Sequence, residues 1–163
     1  MRQPNRHQPD AGFTLIEVLV TIVILSIGLL GLAGLQASSM TNNHNAYLRS
    51  QATIMANDMA NRMRANMVGV AANEYNNING IPVNPGCITA NCSPAQMADY
   101  DAFEWNTALD DQLPAGAGTV TGNAVDFVIT VRWDERRNGA NGLGCNPQSA
   151  ADLKCIILNV TLQ

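Results

Sequence analysis

Apolar residues are concentrated near the N-terminus, in an almost uninterrupted run from Phe13 to Leu35. Glu17 is the one charged residue in this run, and the other interruptions are hydroxyl residues and glycines. As a helix rising about 1.5 Å per residue, the run would reach about 35 Å, against roughly 30 Å of bilayer hydrocarbon. The pattern therefore predicts a transmembrane helix over residues 13–35.

The residues before the apolar run are basic, with Arg2 and Arg6 against Asp10, whereas no Lys or Arg follows the run until Arg49. Because short cytoplasmic flanks are enriched in Lys and Arg, we expect the N-terminus inside and the remainder of the chain outside the membrane. An ordinary secretory signal is the competing interpretation, but its apolar core spans only roughly 7 to 15 residues and ends at a small-x-small site. The stretch Ala37–Ser39 is only a weak candidate for such a site.

The helical pattern continues beyond the apolar run. From Tyr47 to Asn66 there is no Gly or Pro, and apolar residues recur at steps of three or four, which draws one stripe along a helix. The members of the stripe are Leu48, Ala52, Met55, Met59 and Met63. We expect the methionines to fill an irregular groove against the rest of the domain. The stretch 13–66 is predicted to be one curved or interrupted helix of about 80 Å.

Gly28, Gly31 and Gly34 lie in the middle of this helix at a spacing of three. Each glycine costs roughly 1 kcal/mol of helix stability relative to Ala, so this region is predicted to open most easily. The same spacing places small residues on one stripe, where another helix can approach closely.

Beyond Met67 the sequence changes character. Residues 68–92 are rich in Asn, Gly and Pro and are predicted to form an irregular connection. The stretch Ser93–Gln96 has the signature of a helix N-terminus, with Ser as N-cap, Pro at the first position and Gln three residues after the cap. The helix should end at Pro114 and pack through a broad apolar arc. That arc consists of Met97, Tyr100, Phe103, Trp105, Leu109 and Leu113.

Two later segments alternate as strands do, over residues 125–133 and 156–162. The first places Val125, Phe127, Ile129, Val131 and Trp133 on one face, and the second places Ile156, Leu158, Val160 and Leu162 on one face. A short strand is expected over 119–121, before the turn-prone pair Gly122-Asn123. A long polar loop over 136–153 favours antiparallel pairing of the two main strands. The predicted fold class is α+β, a long N-terminal helix packed against a small antiparallel β-sheet.

Four cysteines, Cys87, Cys92, Cys145 and Cys155, all follow the apolar run, and an even number on the exported side predicts two disulfides. Three pairings are possible, of which neighbour pairing would close small loops worth about 2 and about 3 kcal/mol. A zinc site built from the four thiolates is the alternative, but their spacing matches zinc motifs poorly.

Charged residues make up 13% of the chain, about half the usual share, and the net charge is −4. Such an acidic chain lacks the positive footprint that nucleic-acid binding needs, so no nucleic-acid partner is expected.

No enzyme signature rises above background. Asp134 and Glu135 could form a carboxylate pair, but Arg136 and Arg137 follow at once, and a charged strand end exposed to water explains all four. His7 lies in the basic stretch before the apolar run and His44 stands alone, so no His-based nucleophile or metal cluster can be assembled. We therefore expect no catalytic, cofactor-binding or metal-binding residues.

Glu17 needs an explanation, because a charge buried in a bilayer costs roughly 3 kcal/mol at the helix centre. The octapeptide Gly12–Leu19 resembles the processing and assembly motif of type IV pilins and of type II secretion pseudopilins. The resemblance implies that a membrane peptidase cuts between Gly12 and Phe13 and methylates the new amine of Phe13. It also implies that Glu17 pairs with the N-terminus of a neighbouring subunit during assembly.

Three further stretches, Ser26–Gln36, Tyr47–Ala52 and Asp58–Asn66, are similar to the PilV family of minor pilins, the type IV pilus modification proteins. The resemblance covers the first 66 residues well and extends more loosely through Trp105 to Pro114 and the strand ending at Trp133. It implies a low-abundance subunit that helps to prime type IV pilus assembly and supports adhesion and twitching motility. A pseudopilin of a type II secretion system and a membrane-tethered binding domain are the alternatives.

The resemblance divides the chain into a cleaved leader (1–12), a transmembrane helix (13–35), a periplasmic continuation of the helix (36–66) and a globular head (67–163). The expected partners are other minor pilins, the major pilin, prepilin peptidase, the assembly platform in the inner membrane and a tip adhesin. The expected location is the bacterial inner membrane, as a single-pass protein with a periplasmic C-terminal domain, and the extracellular pilus after assembly.

Overall fold

The computed structural model describes residues 12–89, 91–123 and 125–162. Its elements in chain order are α1 (Leu15–Ala65), α2 (Met67–Ala71), β1 (Asn77–Asn79), α3 (Pro94–Gln112), β2 (Ala117–Asn123), β3 (Asp126–Trp133) and β4 (Lys154–Thr161). The chain divides into two compact units between Asn43 and His44, within α1.

The described part of the first unit is the N-terminal portion of α1 and the three residues before it. Every side chain from Gly12 to Asn43 is exposed, including the whole apolar run. The hydroxyls of Thr21 and Ser26 donate to the carbonyls of Val18 and Ile22, at 2.8 and 2.7 Å. These polar side chains are therefore satisfied within the helix and need no water. By length and composition this helix could cross a membrane.

In the second unit, the continuation of α1 lies against the domain core. The stripe predicted from the sequence is confirmed, since Leu48, Ala52, Met55, Met59 and Met63 are all buried. Two alanines that the stripe did not include, Ala56 and Ala60, are buried on the same side. This part of α1 thus presents a row of small residues between its methionines.

Asn66 ends α1 and starts α2. Its side-chain oxygen accepts a hydrogen bond from the Gly69 backbone N–H at 3.2 Å, as an N-cap does. Its amide nitrogen donates to the Tyr75 hydroxyl and to the Pro94 carbonyl, at 3.0 and 2.8 Å. Asn66 therefore connects the end of α1 to the start of α3.

The predicted helix after residue 92 is confirmed, with the Ser93 and Gln96 capping box and Pro94 at its start. The predicted apolar arc is partly wrong. Trp105, Leu109 and Leu113 are buried, but Met97, Tyr100 and Phe103 are only half-buried. The buried face is instead completed by small or polar residues, Ala98, Asp101, Ala102 and Asn106.

The sheet is a four-stranded antiparallel meander in the order β1-β2-β3-β4. The inner residues of β3, from Phe127 to Trp133, are buried as expected, but Val125 lies before the strand and is exposed. The pair Gly122-Asn123 belongs to β2 and not to a turn.

The expectation of an irregular 68–92 connection is wrong for the end of α2 and for β1. Antiparallel pairing of the two main strands is confirmed.

Polar contacts fix α3 against α1 at the edges of the shared apolar core. The indole N–H of Trp105 donates to the Met55 carbonyl at 2.8 Å, with the indole fully buried. Arg62 forms ion pairs with Asp101 and Glu104, at 3.3 and 3.1 Å. These contacts set the rotation of α3 about its own axis, because apolar packing alone is not directional.

Replacing a buried alanine of α1 tests how closely its small face is packed. Ala60→Leu should destabilise the protein by about 1–3 kcal/mol, because extra methylenes in a filled core force neighbouring side chains out of their rotamers. Ala65→Leu, on an exposed position of the same helix, should change stability by no more than about 0.5 kcal/mol. Urea unfolding of the detergent-solubilised chain, followed by tryptophan fluorescence, measures both. Equal effects of the two substitutions would contradict the packing described for this face.

Candidate assembly site

The bond between Gly12 and Phe13 lies just before α1, in exposed chain without regular structure. Phe13 has 83% of its surface exposed. A Cβ added to Gly12 would meet no atom of the described residues within 4 Å. Contacts among the described residues therefore do not require glycine at this position.

Thr14 and Glu17 define the start of α1. The backbone N–H of Glu17 lies 3.4 Å from the Thr14 hydroxyl oxygen and 3.1 Å from the Thr14 carbonyl. Thr14 thus occupies the N-cap position and Glu17 the third position of the helix. A Thr followed three residues later by Glu is a known sequence signature of a helix N-terminus.

The Glu17 carboxylate lies in the first turn of α1. A negative charge is favourable there because the helix dipole is positive at its N-terminal end. Among the residues that the structure describes, no cationic group forms an ion pair with this carboxylate. Ion pairs among the described residues therefore do not account for a carboxylate at this position.

The three glycines of α1 lie in regular helix, since α1 is continuous from Leu15 to Ala65. A Cβ at Gly28, Gly31 or Gly34 would meet nothing within 4 Å among the described residues. Packing inside the described subunit therefore does not require glycine at these positions. Their predicted flexibility stays a prediction.

The four cysteines form two disulfides, Cys87 with Cys92 and Cys145 with Cys155, across Cα separations of 5.5 and 5.6 Å. This is the neighbour pairing, one of the three that the sequence allowed. The first bridge closes the segment before α3, and the second joins the loop after β3 to the start of β4. Both bridges restrict connections that carry little regular structure.

The expectation of a solvated charged strand end is wrong for Asp134 and Glu135, whereas Arg136 and Arg137 are exposed as expected. Asp134 is only 6% exposed, and its carboxylate accepts a hydrogen bond from the Gly139 N–H at 2.8 Å. Glu135 forms an ion pair with Arg49 of α1 at 3.5 Å. Burial raises the pKa of Asp134, but hydrogen bonds from the backbone of residues 137–140 outweigh it and hold the pKa below its ordinary value. These carboxylates shape the loop and join it to α1, which is a structural role.

Among the described ranges, no three His, Cys, Asp or Glu side chains are placed to hold a metal ion. The N-terminal segment is the principal candidate site, because it combines an exposed apolar surface, a carboxylate with no ion pair among the described residues and an exposed Gly12–Phe13 bond.

Comparison with known families assigns two consecutive stretches of the chain. Residues 8–33 match the prokaryotic N-terminal methylation motif. Residues 34–103 match the Tt1218-like family, described as type IV pilin Tt1218. Neither the search of curated proteins nor that of solved structures gave a match.

The two family matches support a type IV pilin. They are consistent with the fold, in which a long N-terminal helix packs, through its second half, on a four-stranded antiparallel sheet. The methylation motif and the long apolar helix fit a membrane-anchored pilin, whose role is structural and whose association is with other pilins and the pilus machinery.

Acid titration tests the role of Asp134. The pKa of Asp134 in the folded protein lies below the value of about 3.9 expected for the unfolded chain. The stability contributed by the ionised Asp134 carboxylate is therefore fully present above about pH 3.9 and is lost as the pH falls through the folded-state pKa. Asp134→Asn should therefore be less stable than the natural protein at pH 7, and the difference should shrink with acidification. Thermal unfolding between pH 2 and pH 7 measures this.

The matched control is Asp110→Asn, at an exposed position of α3. It should differ little from the natural protein at every pH. A stability difference for Asp134→Asn that stayed constant down to pH 2 would contradict a role for the charge.

Proposed function

We propose that the chain is a PilV-like minor pilin that takes part in the assembly or priming of a type IV pilus. A prepilin peptidase removes residues 1–12 and methylates the amine of Phe13, and residues 13–35 hold the mature subunit in the inner membrane. The observation that carries the proposal is the exposed apolar run of residues 13–35, whose one carboxylate, Glu17, has no cationic partner among the described residues. The match of residues 8–33 to the methylation motif supports it.

Cleavage would create a positively charged amine that could serve as the partner of the Glu17 carboxylate. The new amine of Phe13 would lie about one turn from the carboxylate, in an environment where few other polar groups compete. In a medium of low dielectric constant, opposite charges attract far more strongly than in water. A neighbouring subunit's amine can satisfy Glu17 when two helices pack side by side, and the pairing then fixes their relative position along the axis.

The remainder of the helix serves packing. The hydroxyls of Thr21 and Ser26 donate hydrogen bonds to backbone carbonyls within α1. They therefore need no hydrogen-bond partner from a neighbouring helix. At Gly28, Gly31 and Gly34, another helix could approach α1 closely. The same region could also unwind locally, because each glycine lowers helix stability by roughly 1 kcal/mol relative to alanine. Either property would let α1 adapt to neighbouring subunits.

The periplasmic head, residues 67–163 in the proposed division, would present the surfaces that distinguish this subunit from others. On this proposal the partners are the major pilin, other minor pilins, the assembly platform and a tip adhesin. Adhesion and twitching motility would then depend on the subunit through the fibres that it helps to assemble. No nucleic-acid partner is proposed, because the chain is acidic, with a pI near 4.9.

Removing the Glu17 charge tests the assembly role. Glu17→Ala should leave membrane insertion and cleavage intact, because the apolar run and the Gly12–Phe13 bond are unchanged. It should lower the amount of the subunit in sheared surface fibres by tenfold or more. Quantitative immunoblots of membrane and sheared fractions, from a deletion strain carrying each variant, measure the loss.

Two variants serve as controls. Glu17→Gln keeps the size of the side chain and removes its charge, so it should behave like Glu17→Ala. Glu74→Gln removes an exposed carboxylate of the head and should assemble normally. Normal assembly of Glu17→Ala would sink the role proposed for the carboxylate.

A pseudopilin of a type II secretion system would share the leader and the helix, so the phenotype of the deletion strain separates the two functions. Loss of surface fibres and of twitching, with normal export of secreted enzymes, is expected for a minor pilin. The opposite pattern would assign the chain to secretion. Normal fibres together with normal export would favour a membrane-tethered binding domain.

A further inference from the structure

The position at which α1 begins is set by Thr14. Two residues separate Gly12 from α1, which begins at Leu15. The Thr14 carbonyl accepts hydrogen bonds from the N–H groups of Glu17 and Val18, at 3.1 and 3.3 Å. The Thr14 hydroxyl oxygen lies 3.4 Å from the same Glu17 nitrogen. The first hydrogen bonds of the helix therefore end on Thr14.

The backbone before Thr14 takes no part in the helix. Among the described residues, no backbone N–H donates to the carbonyl of Gly12 or Phe13. If α1 began two residues earlier, the Ile16 N–H would donate to the Gly12 carbonyl, because a helical N–H bonds to the carbonyl four residues before it. An earlier start would therefore occupy the carbonyl of the Gly12–Phe13 bond and draw Phe13 into the helix.

The sequence offers such an earlier start, upstream of the described residues. Pro9 is of a type that suits the first position of a helix, and Asp10 would lie in the first turn, where the helix dipole favours an acidic side chain. Ala11 is the strongest helix former of the twenty residues, whereas Gly12 is a poor one. Two starts thus compete for the beginning of α1, and the structure has the later one.

A membrane would favour the earlier start. On the proposed function, residues 13–35 lie in the bilayer, where backbone groups without hydrogen-bond partners are costly. Extending the helix towards the leader would pair more of them. The N-cap at Thr14 opposes this extension, because its side-chain oxygen replaces a backbone partner only when the helix begins at Leu15.

We propose that Thr14 is a positioning residue for removal of the leader, because it ends α1 before the Gly12–Phe13 bond. The proposal rests on the proposed function, in which a prepilin peptidase cuts this bond. Hydrolysis adds water to the Gly12 carbonyl carbon and breaks its bond to the Phe13 nitrogen, which leaves a Gly12 carboxylate and a Phe13 amine. Thr14 takes no part in this step. It keeps the reacting carbonyl free and the bond in exposed, irregular chain, where proteases cut most readily.

The test compares Thr14→Val with Thr14→Ser in the full-length precursor, cut by purified prepilin peptidase in detergent micelles. Valine has nearly the shape of threonine but lacks the capping oxygen, and serine keeps that oxygen. The kcat/KM of Thr14→Val should fall about fivefold, the factor that corresponds to the loss of about 1 kcal/mol of N-cap stabilisation. Thr14→Ser should stay within about twofold of the natural chain, because serine caps helices as well as threonine does.

Ala11→Gly separates a helix stop from direct recognition of the Thr14 hydroxyl by the peptidase. Glycine at position 11 disfavours the earlier start. The double variant Ala11→Gly/Thr14→Val should therefore be cut at a rate within about twofold of Ala11→Gly alone, which should itself match the natural chain. The Cα chemical shift of ¹³C-labelled Phe13 reports the start of the helix in the uncut precursor. It should move towards helical values in Thr14→Val and return in the double variant.

Three results would each overturn the role of Thr14 and leave the proposed function standing: equal rates for Thr14→Val and the natural chain, a slower Thr14→Val with an unchanged Phe13 shift, and no recovery in the double variant. An uncut Gly12–Phe13 bond in the natural chain would contradict the proposed function and this inference together. Thr14 is exposed and lies in the first compact unit, so its variants leave the core of the head unchanged. Resistance of the head to protease confirms folding in each variant.

Discussion

An acidic side chain at the beginning of a long apolar helix is the constraint on which the rest of the account depends. A charge in hydrocarbon is tolerated only near an interface or beside an opposite charge. On the proposed function, Glu17 would meet the first condition in the precursor through its place in the first turn of α1, where the helix dipole also favours it. The second condition is met only if cleavage exposes an amine nearby. On the proposed function, processing and assembly would thus both depend on this one electrostatic requirement.

The same helix serves the head in a different way. Within the second unit, α1 is a buried element, and its alanines and methionines form one side of the core. Directional contacts, from the Trp105 indole to the Met55 carbonyl and from Arg62 to Asp101 and Glu104, then fix α3 on it. One continuous helix can therefore be apolar and exposed along one part and buried along another, because its residue pattern changes between them.

The sequence predicted the elements whose pattern is strong and local. The α1 stripe, the capped start of α3 and the alternation of β3 and β4 are readable because burial repeats at fixed intervals along one segment. β1 was missed because Asn77-Ile78-Asn79 has low strand propensity and becomes a strand only by pairing with β2. Asp134 was misjudged because the backbone donors that satisfy it come from a loop without sequence periodicity. Tertiary context decides both cases.

For the candidate site, the residues alone indicated a membrane helix with a charge that needed a partner, and the family resemblance supplied the roles of Gly12, Phe13 and Glu17. The Thr14 cap could have been found from the Thr-x-x-Glu spacing. The central claim is that the mature chain begins at Phe13. Intact-mass and fragmentation mass spectrometry of the protein purified from its own membranes tests it: the account predicts N-methylated Phe13 as the first residue, and a chain that retained residues 1–12, or that began after Ala37–Ser39, would contradict it.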